Sequence, residues 1–407
     1  MKKILWLSPY APYDQVAHAG GKVHNYYIKK FQDSGRFDVT LLSLCLKDEE
    51  AKLDLDQYGI KNHIFVSEQT AIAKYWRRLL NGLSYVNPFD KYAAVCQWYE
   101  VMQLKRLLRD YIKSGESPDI VIMQWTFSVM LLPIIKKAFP DCKTVAIEED
   151  VTFQSYYRIW KAKENVILKT FWKNRHQKEK KLELSLLEEV DMIVTNNQKD
   201  TTMLKRCGLK EEKIFTSVSY FDNYSKIERN IIGKDILFYG AMARPENFES
   251  AIWFIKEVMP QMREQNVRFV IVGSNPPKEL LKYQSERVIV TGFVKDVSSY
   301  LETCLCMAAP LVRGAGIKIK IIEGMSAGIP ILTNEVGIEG ISATDGEEYI
   351  HCETAADYAK AVQKIINQKI NGRLMGEKAR SFILNHYNIE SKTNEFIKLV
   401  DEMTIKE

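Results

Sequence analysis

Two open, doubly wound parallel α/β sheets, one in each half of the chain, are the fold this sequence predicts. Three observations carry that prediction. Short apolar runs alternate with longer amphipathic segments, the rhythm of strands and helices in a parallel sheet covered on both faces. The rhythm halts in a polar stretch, residues 222–234, and then restarts. The chain has 407 residues, more than one ordinary core accommodates, so two domains of roughly 150 to 230 residues are expected.

The first half opens with KKILWLS, whose apolar residues 4–7 predict a strand; the runs 39–46, 120–123, 144–147 and 192–195 predict four more. Between them, 23–31 and 102–112 place apolar residues at helical spacing. In the second half the strands are expected at 235–239, 267–272, 288–290, 304–310 and 330–333, with helices near 248–262, 277–283, 317–327 and 355–367. The last amphipathic segment, 389–403, is expected to return to the first domain. The expected division is therefore 1–230, 231–388 and a C-terminal helix within 389–407. Such sheets bind ligands at the carboxyl ends of their strands, so two sets of strand ends facing one cleft are expected.

Composition removes several classes of function. With 46% apolar and 27% charged residues the chain reads as globular, and a net charge of +5 is weak for a nucleic-acid binder of this length. Seven cysteines, an odd number without paired spacing, predict reduced thiols and a cytoplasmic setting. Cys304 and Cys306 resemble a metal pair, but their place in an apolar strand without a second ligand pair favours a core role. The first apolar run is too short for a signal peptide, and the best spanning candidate, 121–135, is interrupted by Gln124 and Pro133.

The segment 309–341, APLVRGAGIKIKIIEGMSAGIPILTNEVGIEGI, carries the most chemistry. It reads as strand, glycine loop, helix, a Gly328 cap and a further strand. Lys318 and Lys320 fall in the first helical turn, where a cation opposes the macrodipole at about 0.3 to 1 kcal/mol each. An anion docked on the free backbone N–H groups there reverses that sign, and Arg313 upstream adds a third positive charge. The competing reading lets both lysines extend into solvent. Glu323 follows Lys320 by three residues; it suits two vicinal hydroxyls of a ribose, or else forms an ordinary surface pair with Lys320. A second glycine loop, AHAGGKVHNYYIKKF at 17–31, puts Gly20 and Gly21 at a helix start, where backbone N–H groups could approach an anion. His18 and His24 flank it and are read as structural or as acceptor contacts.

The pattern Gly314-x-Gly316-Ile317-Lys318-x-Lys320-x-x-Glu323, followed by Met325, Gly328, Pro330, Thr333, Gly337 and Glu339-Gly340, resembles the C-terminal signature of retaining GT-B glycosyltransferases of group 1, the mannosyl- and glucosyl-transferase-like family. KILWLSPYAPYD, ILFYGAMARPEN, FVIVGSNP and VTGFVKDV follow in that family's order. The resemblance implies two Rossmann-like domains and transfer of a sugar from a nucleotide diphosphate sugar, without cofactor, to a glycan or lipid-linked acceptor in surface polysaccharide synthesis. It implies that Gly20 and Gly21 approach the donor diphosphate from the first domain, and that Arg313, Lys318 and Lys320, with the loop Gly314, Gly316 and Ile317, neutralise it from the second. It further implies Glu323 on the ribose, Gly292, Phe293 and Val294 beside the nucleobase, and Arg244 at the family's basic position after the first strand of the second domain.

Two departures bear on the chemistry. Ala315 stands where the family's first glutamate falls, and VAIEEDVTF replaces a first-domain histidine, making Glu149 and Asp150, beside Glu148, the acidic substitutes. The resemblance implies front-side displacement with retention, and the basic loop in place of a metal predicts metal independence. Residues 158–181 carry nine Lys or Arg against two Glu, and with KYWRRLL at 74–80 they predict peripheral contact with an anionic membrane, or else a solvated face. A non-catalytic partner subunit and a nucleotide-sugar epimerase are the rival functions.

Overall fold

The computed structural model describes residues 1–14, 16, 19–86, 98–218, 220–264, 266–313 and 317–403. The expectations placed on His18, Gly314, Ala315 and Gly316 lie outside the described residues. The chain divides into two units, Met1–Tyr220 with Ile389–Glu407, and Phe221–Asn388.

The first unit holds β1 (Lys2–Ser8), β2 (Phe37–Leu46), β3 (Lys61–Ser67), β4 (Ile120–Gln124), β5 (Lys143–Glu148), β6 (Met192–Thr195) and β7 (Ile214–Thr216). They form one sheet in the order β3-β2-β1-β4-β5-β6-β7, every pair parallel. Successive residues point to opposite faces of a strand. Leu5, Leu7, Val121 and Met123 accordingly enter one buried cluster, while Ile4, Trp6, Ile120 and Ile122 enter the other. That both faces are apolar explains why these runs read as continuous rather than alternating.

The second unit holds β8 (Asp235–Tyr239), β9 (Arg268–Val272), β10 (Val288–Gly292), β11 (Cys306–Ala309), β12 (Ile331–Thr333) and β13 (Ile350–His351), all parallel, in the order β10-β9-β8-β11-β12-β13. In each sheet the strand order reverses once beside its first strand: between β1 and β4, and between β8 and β11. Loops leaving the carboxyl ends there diverge and open a crevice.

The units part at Tyr220 rather than at residue 230. The polar stretch belongs to the second unit because it is stitched there: Asn230 and Ile232 N–H donate to Glu302 and Thr303 carbonyls, and the Arg229 guanidinium donates to the carbonyls of Leu301 and Cys304. The helix Ile389–Glu402 lies in the first unit, with Phe396 buried among Tyr27, Phe31 and Phe215, and Lys2 paired to Asp401 at 2.8 Å. Cys304 and Cys306 are both buried, Cys304 as the cap of the Ser298–Thr303 helix rather than in the strand.

Candidate functional site

At the reversal point of the second sheet, β8 ends at Tyr239 and is followed by Gly240. Gly240 has φ +149°, and a Cβ there would lie 2.9 Å from Lys320 Nζ; one at Gly273 would lie 1.7 Å from the Gly240 carbonyl oxygen. Two adjacent strand ends therefore approach each other and the lysine only because both lack side chains.

Lys320 is the second residue of the Ile319–Ser326 helix, and Lys318 is its N-cap in extended conformation without a side-chain cap bond. The helix starts two residues later than expected, yet both lysines stand at its N-terminal end. Lys320 Nζ donates to Asn247 Oδ1 at 2.5 Å and lies 4.5 Å from the Phe238 ring centre, while Asn247 Nδ2 donates to the Ala241 carbonyl and fixes the amide's orientation. The residue as a whole is half-buried, but desolvation at its ammonium brings its pKa down to about 7, against the opposing pull of Glu246 and Glu323.

Glu323, one turn on, is buried and accepts from Tyr239 Oη at 2.7 Å and from Asp222 N at 3.2 Å. Burial and the adjacent Glu323 carboxylate push the Tyr239 hydroxyl far above its ordinary pKa, so it stays a donor. The ordinary surface pair is thus replaced: Lys320 and Glu323 turn to different partners. Lys318 Nζ reaches Glu339 Oε2 at 3.5 Å, and half-buried Ile317 leads into the helix. Arg313 pairs with Glu249, and Arg244 caps the Pro245–Trp253 helix, exposed and 3.9 Å from Glu246. Gly292 ends β10, followed by Phe293, 77% exposed, and half-buried Val294. The structure brings Lys320, Glu323, Tyr239, Gly240 and Asn247 together. Arg244 and Arg313 are engaged by glutamates of the Pro245–Trp253 helix, and the Gly292–Val294 turn is two strands away.

The reversal point of the first sheet is organised around Trp125, which follows β4 at φ +62°, a strained conformation for a bulky residue. A Cβ at Gly20 would sit 2.9 Å from the Trp125 ring, so Gly20 makes room for an indole in the Ala19–Asp33 helix. Gly21 beside it is buried. Buried His24 faces Ser8 Oγ at 3.3 Å and packs between Trp6 and Trp125.

The three acidic residues at the carboxyl end of β5, Glu148 in the strand and Glu149 and Asp150 after it, differ in their surroundings. Glu148 is buried, accepts from Thr126 Oγ1 at 2.6 Å, and has its pKa raised to about 7 by desolvation. Half-buried Glu149 accepts from Gln124 Nε2 at 2.5 Å and Asn196 Nδ2 at 2.7 Å, yet desolvation and then Asp150 hold it well above the usual carboxylate range. Asp150 is exposed. Behind Glu148 the long helix Val166–Glu189 contributes Glu183, which accepts from Thr152 N and Phe153 N, and Glu179, raised to about 9 by burial and Glu148. Among the described residues neither Glu179 oxygen has a hydrogen-bond partner.

Sequence reasoning missed Tyr239, Asn247 and Trp125. The first two stand within ILFYGAMARPEN, but their roles depend on the Lys320 side chain folding back to β8, which no local pattern encodes. Trp125 carried no motif because backbone strain has no sequence signature.

Residues 233–368 match the sequence profile of the family described as glycosyl transferases group 1. An uncharacterised 44.6 kDa protein in the cps region of Klebsiella pneumoniae is 26% identical over 168 residues, 38% of this chain; the match spans about two fifths (42%) of that relative's length. Over nearly the whole of both chains the structure resembles HepE of Anabaena in complex with UDP and glucose (TM-score 0.65, 13% identity, 98% of this chain and 99% of that one). It also resembles sucrose-phosphate synthase of Thermosynechococcus elongatus (TM-score 0.68, 13% identity, 99% of each chain) and TarM (TM-score 0.65, 10% identity, 98% and 99%). Two parallel-sheet α/β units with these likenesses define a GT-B fold. Within that fold, the part of the chain that is similar to the group 1 glycosyl transferases is residues 233–368 of the second unit.

Proposed function

We propose that this chain transfers a sugar, with retention and without a metal ion, from a nucleotide diphosphate sugar to a glycan or lipid-linked acceptor in polysaccharide synthesis. One observation carries the reading: the deep Lys320 ammonium at a helix N-terminus, one turn from the held carboxylate of Glu323. The helix N-terminus and Lys320 take the diphosphate, Lys318 adds charge, and Glu323 takes the ribose hydroxyls. Arg313 and Arg244 join once their exposed pairs with Glu249 and Glu246 exchange for phosphate. The leaving diphosphate, stabilised in this way, accepts the proton of the acceptor hydroxyl as the new glycosidic bond forms. Glu149 and Asp150 stand at the first unit's strand ends to orient that hydroxyl.

The UDP and glucose bound by HepE support a UDP-sugar as the first donor to try, and the cps-region relative supports polysaccharide synthesis. No described helix is long and apolar enough to cross a membrane. Exposed Val166, Ile167, Leu168 and Phe171 begin the Val166–Glu189 helix, with Lys163, Lys169 and Lys173 around them, which supports peripheral attachment to an anionic surface. The test is thermal stabilisation by UDP-, GDP- and ADP-sugars followed by turnover assays. Lys320→Ala and Glu323→Gln are each expected to weaken donor binding at least tenfold and abolish transfer; unchanged turnover in both would remove the reading. Activity that disappears with chelator and returns with metal would reject metal independence.

A further inference from the structure

The Ala71–Val86 helix leaves an apolar stripe in water. Its apolar residues Ile72, Tyr75, Trp76 and Leu79, spaced along one stripe, are exposed, the first three by 72%, 63% and 55%. Lys74, Arg77 and Arg78 fall at i, i+3 and i+4 on the opposite side and line a pocket of about 480 Å³. A surface helix ordinarily buries such a stripe, whereas here Lys74 and Arg78 are exposed with it and Arg77 is half-buried.

The pocket lies at the carboxyl ends of the first sheet's strands. Tyr10 follows β1 and Phe127 follows β4, so it opens at the reversal point where such sheets bind ligands. Of the three cations, Arg77 lies near enough to Glu100, which lines the same pocket, for its charge to favour the ionised carboxylate. The one lining carboxyl, Glu100, has its pKa raised by burial, and Asn81 Nδ2 donates to it at 3.4 Å. Asn81 also accepts from Tyr99 N at 3.0 Å, joining this helix to Trp98–Lys113 and fixing the pocket's floor.

We propose that this pocket binds the phosphate or diphosphate group of a phosphate-linked lipid acceptor. Three cations against one lining carboxyl leave the pocket net positive and match a multiply charged anion, and two guanidinium forks suit phosphate oxygens. Tyr10 and Phe127 supply walls for the group esterified to it. The exposed apolar stripe across the same helix meets the lipid, which places the phosphate at the boundary between apolar and aqueous phases. The proposal rests on the acceptor reading above and adds the acceptor's charge.

Calorimetric titration of the full chain with geranyl diphosphate, under saturating UDP to occupy the second unit, tests it. Geraniol is the uncharged control, and vesicles of phosphatidylglycerol or phosphatidylcholine are the membrane control. Geranyl diphosphate is expected to bind at least tenfold more tightly than geraniol. Lys74→Ala/Arg78→Ala is expected to weaken that binding at least tenfold while leaving UDP affinity, melting temperature and phosphatidylglycerol binding unchanged. Equal geranyl diphosphate affinity in variant and parent overturns the proposal. So does a parallel loss of phosphatidylglycerol binding, which would assign the cations to membrane headgroups. A chain that takes geranyl diphosphate in this pocket but binds no nucleotide sugar would fail as a transferase without failing here.

Discussion

Lys320 is the residue whose environment most directly predicts behaviour. With no anion bound its pKa is brought down to about 7 by desolvation, so a growing fraction is neutral above that pH. A diphosphate beside it favours the charged form, so donor binding takes up a proton. The affinity for a UDP-sugar, whose two phosphates do not titrate in this range, is therefore expected to be constant below about pH 6 and to fall towards tenfold per pH unit above about pH 7. Lys320→Arg, charged throughout, should flatten the curve; a flat profile in the parent chain would separate Lys320 from the diphosphate. The buried glutamates of the first unit act on stability instead. Glu148 and Glu179 titrate near 7 and 9 when folded, against 4.5 for an ordinary glutamate. Their folded pKa values are raised, so their contribution is complete below about pH 4.5 and is lost as pH rises towards about 9, at up to about 1.4 kcal/mol per pH unit per group. Urea unfolding at about pH 5.5 and pH 8 should show it, and Glu179→Gln should be more stable than the parent at the higher pH.

Among the elements, those whose apolar pattern lies within one segment were legible. β1, β4, β5, β6, β8 and β12 stand within a residue or two of the expected runs. The edge strands β3, β7 and β13 were not, because KNHIFVS is only half-buried and IFT and IH are too short to show a period. The helix expected near 248–262 changes type after Trp253, passing into a π turn over Phe254–Val258 and then a 3₁₀ turn over Met259–Gln261, a shift no periodicity announces. For the site, the lysine pair and Glu323 were legible because charge opposes the helix dipole in the sequence itself. Their partners Tyr239 and Asn247 were not, being set by packing between β8 and the Ile319–Ser326 helix. The C-terminal helix gives the clearest test at this scale. Phe396 is wholly buried, stacked on Phe215 and edge-to-face with Phe31 and Tyr27 at centroid distances of 5.0 to 5.8 Å. Phe396→Ala should cost about 3 to 5 kcal/mol of first-unit stability. Urea unfolding with a midpoint within error of the parent would show that the helix adds nothing to that core.

For the whole molecule, chain connectivity makes the two units unequal. Phe221–Asn388 is one uninterrupted stretch with its own six-stranded sheet, whereas the first unit is closed only after the chain has returned at Ile389. Two separate cores imply unfolding that a single two-state transition does not describe. The residues proposed to take the donor all lie on the second unit's side of that division, apart from the Gly20-Gly21 helix start, where the indole of Trp125 fills the space beside Gly20. A ligand stabilises whatever binds it by mass action, about 2.7 kcal/mol at a hundredfold excess over Kd. Hydrogen exchange of the full chain with and without saturating UDP should therefore slow most at the end of β8 and through Ile319–Ser326. The Phe396 cluster should exchange at its unliganded rate under the conditions where local opening dominates. Equal slowing in both units would mean that the nucleotide is held by the first unit as strongly as by the second, and the assignment of Lys320 and Glu323 as its principal contacts would fall with it.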